Sequence, residues 1–593
     1  MIRSTRLLVP CLLLMSLVGL PLAAQNVATL RVTSLEAALA DVERLTAASG
    51  SPVTGDLLMA RMLGTLGLVD SGWIDRRRPV ALVLPMQGMA FGMTGMVGAF
   101  PVGDVEAALA ALAGLFEGHE VEEGLHYFPR DEQTVVVAPA NGYLIVGLNA
   151  ALVNGFDLQS ALNPGPLPPG NLALDVDLEP VAPMALMGLE SVRQQAIGRQ
   201  GGADSTEDGP HAGGSEDEAQ PQPDPQAVMS LLGLYFDFAK DMLNNTSRLQ
   251  MSVELSSQHL VFHKRLLPKV GSTLAGLVDA QRGGLPELAR HLDPADTFAV
   301  SAGQITFTPE FLFALQTYAQ RYAEAMGELG AELQDEPGAQ WLKLMTGPIV
   351  ESANRWTECY RGDFAGTFEI NAESGITTTQ LAGAKNAELC SKLMLDTARM
   401  VAEAPGGPDG KPLATVKENA LSHGGVNALR TEVDMATAAL AGDEEAQKAL
   451  KAWFGDAPMV SYFGMAGDLI LTAGGSDAEE RFKALVDRVG GKSKGAGIGP
   501  ATFAPLEIAA GFFTAVDPVR LLSELPEVVG VTGESTAVLN ELAEDARRIA
   551  FGARFGEGGL NIEFAVSMKL IETFVAATAA EKAERAEATQ ADP

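Results

Sequence analysis

Leu172-Ala173-Leu174-Asp175-Val176-Asp177-Leu178 places bulky apolar side chains at even positions with small or acidic ones between them. That is the period of a half-buried β-strand. Pro180 and Pro183 follow, then a helical stretch from near Met184. Phe298 to Phe307 repeats the theme and runs into Thr308-Pro309-Glu310, with Thr308 as a helix N-cap and Pro309 at the first helical position. Ile508 to Val516 does so again and ends in Asp517-Pro518. Strand, cap, proline and helix in three copies mark an internal repeat.

After its helix, each copy continues into a hairpin. The paired segments are Ser247 to Glu254 with His259 to Leu266, Tyr360 to Ile370 with Ile376 to Ala382, and Ile549 to Phe555 with Leu560 to Val566. Asn371-Ala372-Glu373-Ser374-Gly375 and Gly556-Glu557-Gly558-Gly559 supply the glycine that tight turns need. A second theme also recurs. Pro79 to Leu84 and Met96 to Pro101 lead into Asp104 and an Ala/Leu-rich helix, while Val460 to Phe463 and Asp468 to Thr472 lead into Ser476-Asp477-Ala478-Glu479, which has capping-box spacing. The fold expected is α+β, with duplicated antiparallel β-meanders each packed by helices on one side.

Within that plan the chain divides as follows. Residues 1–24 form a secretory signal peptide: Arg3 and Arg6, an apolar run from Leu7 to Leu20, then Leu22-Ala23-Ala24 for cleavage. The run is too short for a spanning helix, and Cys11 lies inside it, which argues against a lipid-anchored cysteine. An N-terminal α+β unit spans 25–197. Residues 198–226 hold seven acidic side chains against one basic, with Gly, Pro, Ser and Gln between them; such a composition cannot offset its ordering entropy and reads as a disordered linker or loop. Residues 227–290 complete the first half with a hairpin and helix, 291–578 form the second half, and 579–593 are a charged tail. Pro405 to Pro412 and Gly490 to Gly499 read as flexible connections.

The formal charge is −33, and apolar residues make up 47% of the chain but aromatics only 6%. So acidic a surface repels phosphate backbones and anionic headgroups, which argues against nucleic acid or an acidic membrane as partner. Beyond the leader, no apolar run reaches membrane-spanning length without a charge or a turn signal. Cys359 and Cys390 are the two cysteines left after processing, and in an oxidising compartment they suggest one structural disulfide.

The order Arg78-Pro79-Val80-Ala81-Leu82-Val83-Leu84-Pro85, then Phe100-Pro101-Val102-Gly103-Asp104, is similar to a family of uncharacterised secreted bacterial proteins of unknown function. Thr134 to Ala138 with Asn141 to Gly147, and Asn171 to Val176 before a helix, fit the same pattern. The resemblance covers most of the chain to about Val270 and is looser beyond. It implies secretion and a repeated α+β build, and supplies no catalytic residue.

Motifs that could carry chemistry are incomplete. His119-Glu120 opens like a zinc helix, but Glu123 stands where the second histidine is required; His126 with Glu122 and Glu123 is the remaining metal arrangement. His259 and His263 have helical ligand spacing in a segment that reads as strand, where they stand about 13 Å apart. Gly491-Lys492-Ser493 lacks the upstream glycine of a phosphate loop, with Val486 in its place, and Gly495 to Gly499 lacks a flanking strand and helix. Gly533-Glu534-Ser535-Thr536-Ala537 approaches a nucleophile elbow, with His423 as the upstream histidine, but Ser535 reads better as an N-cap. Asp175 and Asp177 share a strand face about 7 Å apart, a spacing open to paired catalytic carboxylates, though the alternation turns that face to solvent. Met86, Met89, Met93 and Met96 crowd a Gly-rich stretch. They serve as apolar filler, as a greasy contact surface that could form the lip of a groove, or as Cu(I) ligands.

The function expected is therefore a secreted or periplasmic, non-enzymatic envelope protein that binds an apolar ligand or a protein partner. A secreted hydrolase is the alternative and a Cu(I)-binding protein the third. No catalytic, cofactor or metal residue is assigned, and no cofactor motif is present.

Overall fold

The computed structural model describes residues 26–48, 54–65, 72–116, 118–130, 133–163, 165–201, 225–332, 355–371, 375–403, 412, 414–433, 453–454, 458–524 and 533–591. The signal peptide lies outside the described residues, as do 202–224 of the acidic linker. The ends of that linker are helical, with 198–201 closing one helix and 225–226 opening the next. The chain forms two compact units, Met1–Val192 with Met242–Lys269, and Arg193–Asp241 with Val270–Pro593.

Unit 1 is built on strands β1 (Asn26–Val32), β2 (Val80–Pro85), β3 (Val97–Pro101), β4 (Glu120–Glu122), β5 (Leu125–Arg130), β6 (Gln133–Ala140), β7 (Tyr143–Gly147), β8 (Leu172–Asp177), β9 (Thr246–Leu255) and β10 (His259–Pro268). Every pairing among them is antiparallel, in the order β4-β5-β6-β7-β3-β2-β1-β8-β9-β10. Helices α1 (Leu35–Ala48), α2 (Gly55–Thr65), α3 (Val105–Ala113), α4 (Ala150–Asn154) and α5 (Leu158–Leu162) pack on it; α6 (Ala182–Gly201) begins in unit 1 and ends in unit 2, and α7 (Pro225–Asn245) lies in unit 2 up to Asp241. Asp104 caps α3, its carboxylate accepting from the Ala107 N–H at 3.0 Å.

Unit 2 carries β11 (Ala299–Gln304), β12 (Tyr360–Asn371), β13 (Gly375–Ala384), β14 (Ala414–His423), β15 (Val426–Val433), β16 (Met459–Ala466), β17 (Leu469–Gly474), β18 (Ala510–Val516), β19 (Ile549–Gly556) and β20 (Gly559–Ser567). Its antiparallel order is β14-β15-β16-β17-β13-β12-β11-β18-β19-β20. Its helices are α8 (Thr273–Ala280), α9 (Pro309–Glu332), α10 (Ala387–Glu403), α11 (Ala478–Val489), α12 (Pro518–Glu524), α13 (Gly533–Asn540), α14 (Glu544–Arg547) and α15 (Met568–Ala591). Thr308 accepts from the Phe311 N–H at 3.3 Å as the expected cap. The β19–β20 turn is as tight as its glycines require, with Glu557 at φ 50° and Gly558 at φ 74° between the paired Gly556 and Gly559. At α11 the capping box does not form. Asp477 instead accepts from the Arg481 guanidinium at 2.8 Å.

Mixed α+β architecture with antiparallel sheets is thus present, but helices cover both faces of each sheet rather than one. In unit 1, Leu35, Met59 and Leu112 pack with Val80, Leu82 and Phe100, while Leu152, Val153 and Leu158 pack with Ala81, Val83 and Ile145. In unit 2, Cys390 and Leu393 of α10 join Ile470, whereas Phe482 of α11 lies against Gly464, the cross-strand neighbour of Leu471. The physical reason is visible in β2, β3 and β7, where an unbroken apolar run is buried on nearly every residue; a strand covered on both sides has no polar face to alternate with.

The second correction concerns β8. The alternation sorts its side chains onto two faces correctly but points them the wrong way: Leu172 is 40% exposed, whereas Asp175 is 5% exposed. The inward face is closed by polar chemistry, with Thr29, Gln250 and Ser252 also buried and the Ser252 hydroxyl bonded to the Pro169 carbonyl at 2.5 Å. Among the described residues no helix is long and apolar enough to cross a membrane.

Candidate ligand-binding cleft

The central strands of unit 2 create a cleft from an alternation of large and absent side chains. On β12, Phe364, Gly366 and Phe368 share one face. Their neighbours across the ladder are Gly303, Ser301 and Ala299 on β11, and Ala382, Gln380 and Thr378 on β13. Ile470 and Thr472 of β17 pair with Ala382 and Gln380 and extend the same face. Two phenylalanines flanking a glycine leave a gap, floored by the small residues opposite. The resulting cleft holds about 270 Å³ and is lined by Tyr360, Phe364, Phe368, Ile470, Ala382, Ser301, Gln380 and Thr472, among others.

Glycine is needed at Gly303, where a Cβ would come within 2.6 Å of the Gly511 carbonyl oxygen and 2.9 Å of the Phe364 ring. Phe364 stacks in turn on Phe512, with ring centroids 5.5 Å apart, and Phe512 meets Phe551 at 6.4 Å. Phe551 and Phe564, directly opposite each other on β19 and β20, are both more than a third exposed. An aromatic stripe therefore runs from the cleft across β12, β18, β19 and β20. At the other end Ile470 joins the core cluster that holds Cys390 and Leu393 of α10.

Among the described residues the lining is electrically neutral, with no carboxylate, imidazole or cation. Arg361, next to Tyr360 in sequence, is held by Asp363 at 2.7 and 2.8 Å and by Asp468. Burial and the nearby Asp363 push the Tyr360 phenol up, so it stays protonated. Among the described residues the lining offers apolar contact and neutral hydrogen-bonding groups, with none that titrates near neutral pH; at about 270 Å³ the cleft is a little smaller than the usual small-molecule site.

The residues singled out in the sequence fall elsewhere. Cys359 and Cys390 do come together, both fully buried, with the Cys390 thiol donating to the Cys359 carbonyl at 3.3 Å; in this structure they are free thiols. Met86 and Met89 are buried in a unit 1 core cluster with Val27, Leu84 and Val181, with Met96 packed against it; the side chain of Met93 lies outside the described residues. His119 and His126 meet edge to edge, Nε2 to Nδ1 at 2.9 Å, with rings nearly parallel. Among the described residues no group of three or more His, Cys, Asp or Glu side chains is placed to hold a metal.

His259 and His263 lie on β10, as a strand reading requires, and His263 reaches Glu254 at 3.3 Å. Lys492 pairs with Asp487 at 3.3 Å, and the Gly497 and Ile498 N–H groups bond to the Leu292 and Ala289 carbonyls, so both glycine-rich segments serve as connector. Ser535 lies in the first turn of α13, its side chain outside the described residues, while His423 sits 3.0 Å from Asp487. That contact is an ion-pair distance without hydrogen-bond alignment.

What sequence reading missed is the stripe itself. The signal was Phe364-Ala365-Gly366-Thr367-Phe368, an aromatic, glycine, aromatic alternation on one strand face, matched by single phenylalanines on three other strands. Comparison with family models, curated proteins and solved structures finds no match for the chain, so the cleft has to be interpreted from its own chemistry.

Proposed function

We propose that the mature chain is a secreted or periplasmic, non-enzymatic envelope protein that arose by duplication and binds an apolar ligand in the cleft of unit 2. The observation that carries the reading is the aromatic, uncharged cleft lined by Phe364 and Phe368. Duplication is supported by strand order: adding ten to each strand number of unit 1 reproduces the order of unit 2. In unit 1, α1 and α2, which follow the first strand, bury Leu35 and Met59 against the sheet. In unit 2 the helix in the same place in the chain, α9, leaves Phe313 at 72% and Tyr322 at 48% exposure, and the sheet keeps its cleft. Among the described residues the unit 1 sheet is covered at this place and the unit 2 sheet keeps a cleft, which suits a division into scaffold and binding unit.

The test is native mass spectrometry of mature protein recovered from its own host, before and after organic extraction. The expected result is an added mass that partitions into solvent and is missing from a Phe364→Glu variant of unchanged thermal stability. A clean mass of one bare chain, with no uptake of apolar probes by the extracted protein, would end the reading.

A further inference from the structure

Gln380 and Thr472 are directly opposite each other on β13 and β17, and both line the cleft. Among the described residues neither side chain has a hydrogen-bond partner, whereas the Ser301 hydroxyl is already bonded to Thr514 at 3.0 Å and the Tyr360 phenol is the fourth polar group of the lining. An amide and a hydroxyl side by side offer both donors and acceptors. They face a wall of Phe364 and Phe368, and among the described residues no ionised group lines the cleft.

Resting on the binding role proposed above, we infer that the ligand is a neutral amphiphile, with a hydroxyl, amide or ester head held by Gln380 and Thr472 and an apolar body laid along the phenylalanines. An anionic head is disfavoured twice. A carboxylate in the cleft meets neutral donors but no cation among the described lining residues to offset the hydration it loses, and a chain of net charge −33 repels it on approach. A cationic head gains from that surface field but finds no carboxylate in the lining. The volume, about 270 Å³, equals roughly nine waters at ~30 Å³ each, which suits a body of about ten non-hydrogen atoms.

Extracted, full-length mature protein is titrated with 1-decanol and with decanoate by equilibrium dialysis at neutral pH. Decanol should bind, with decanoate on the order of tenfold weaker because its charge is partly desolvated at a site with no cation to pair it. In Gln380→Leu decanol affinity should fall about tenfold, the scale of a lost hydrogen bond to a neutral group. Gln380 is exposed on its strand, so this substitution leaves the fold intact. Equal binding of the two probes, tighter binding of decanoate, or an unchanged Gln380→Leu affinity would each overturn the neutral-head inference while leaving apolar binding in place. Binding of neither probe would instead remove the cleft's proposed function.

Discussion

The carboxylate of Asp175 on β8 is paired with the guanidinium of Arg248 on β9, on the inward face of the unit 1 sheet, with the acid side chain 4% exposed and the arginine 37%. Burial raises the affinity of Asp175 for its proton, and Arg248 opposes that by stabilising the charge. The two effects make the arginine the condition for an ionised aspartate inside the sheet.

Arg248→Ala should therefore cost roughly 2–3 kcal/mol at pH 7, the lower part of the range for stranding a buried charge, because Arg248 is itself more than a third exposed. The pH sign follows from the raised carboxyl. The folded state of the variant binds a proton more tightly than the unfolded chain, whose aspartates titrate near 3.9, so protonation favours folding as pH falls. Urea midpoints of variant and parent should converge on going from pH 7 to about pH 4.5. A deficit of the same size at both pH values would mean that the pair contributes packing only.

The His119–His126 contact predicts the opposite slope. Burial, then the neighbouring His119, holds His126 below the ordinary imidazole range. The folded chain then binds fewer protons than the unfolded one below about pH 6.5, so the contribution is intact above that value and is lost as pH falls through it. Imidazole proton shifts followed by NMR should place His126 below a reference histidine, and His119→Gln should move it back upward. A His126 unmoved by that substitution would show that burial alone sets it.

Periodicity and local motifs made most of the elements legible, because strand alternation, N-caps and hairpin glycines act over a few residues. Thr308, Asp104 and the Gly556 to Gly559 turn behave as their types require. What escaped depends on contacts distant in sequence. The direction of β8 is decided by Arg248, 73 residues away, the cleft by residues brought together from β11, β12, β13 and β17, and the aromatic stripe by phenylalanines on four strands. The recurrence of two strands and a helix was visible, but its partners were not. With the duplication proposed above, β2, β3 and α3 correspond to β12, β13 and α10, while β16, β17 and α11 correspond to β6, β7 and α4. Only the order of strands in the sheet, which no local window contains, separates the two matchings.

Gly464 on β16 is fixed by packing rather than by backbone angle. A Cβ there would lie 2.8 Å from Cζ of Phe482 and 2.9 Å from Cγ1 of Val426, and Phe482 is fully buried. Gly464→Ala should cost about 1–3 kcal/mol, the usual range for overpacking a core. Pairing it with Phe482→Leu should give a loss smaller than the two single losses added, since they share one volume. Strict additivity in chemical denaturation would show that β16 moves away from α11 instead of pressing into it.

Cys359 and Cys390 are positioned for the disulfide expected of an oxidising compartment, yet their surroundings oppose making it late. Burial, and then the neighbouring Cys390 thiol, push the Cys359 thiol up to about 12. Exchange with an external disulfide proceeds through the thiolate; almost none exists on Cys359 at neutral pH, and both sulfurs are buried from solvent. Bridge formation should therefore belong to folding. Reduced chain refolded from denaturant with oxidised glutathione should emerge two hydrogens lighter, two glutathione molecules being released in reduced form. Folded, reduced protein in the same buffer should keep both thiols for hours. The bridge would span 31 positions and should add roughly 3–4 kcal/mol by the chain-entropy estimate, read as the difference in urea midpoint between the two preparations. Rapid oxidation of the folded protein would show that the α10 core opens readily, and a refolded product that retains two thiols would show that the pair is built as buried thiols, with no bridge.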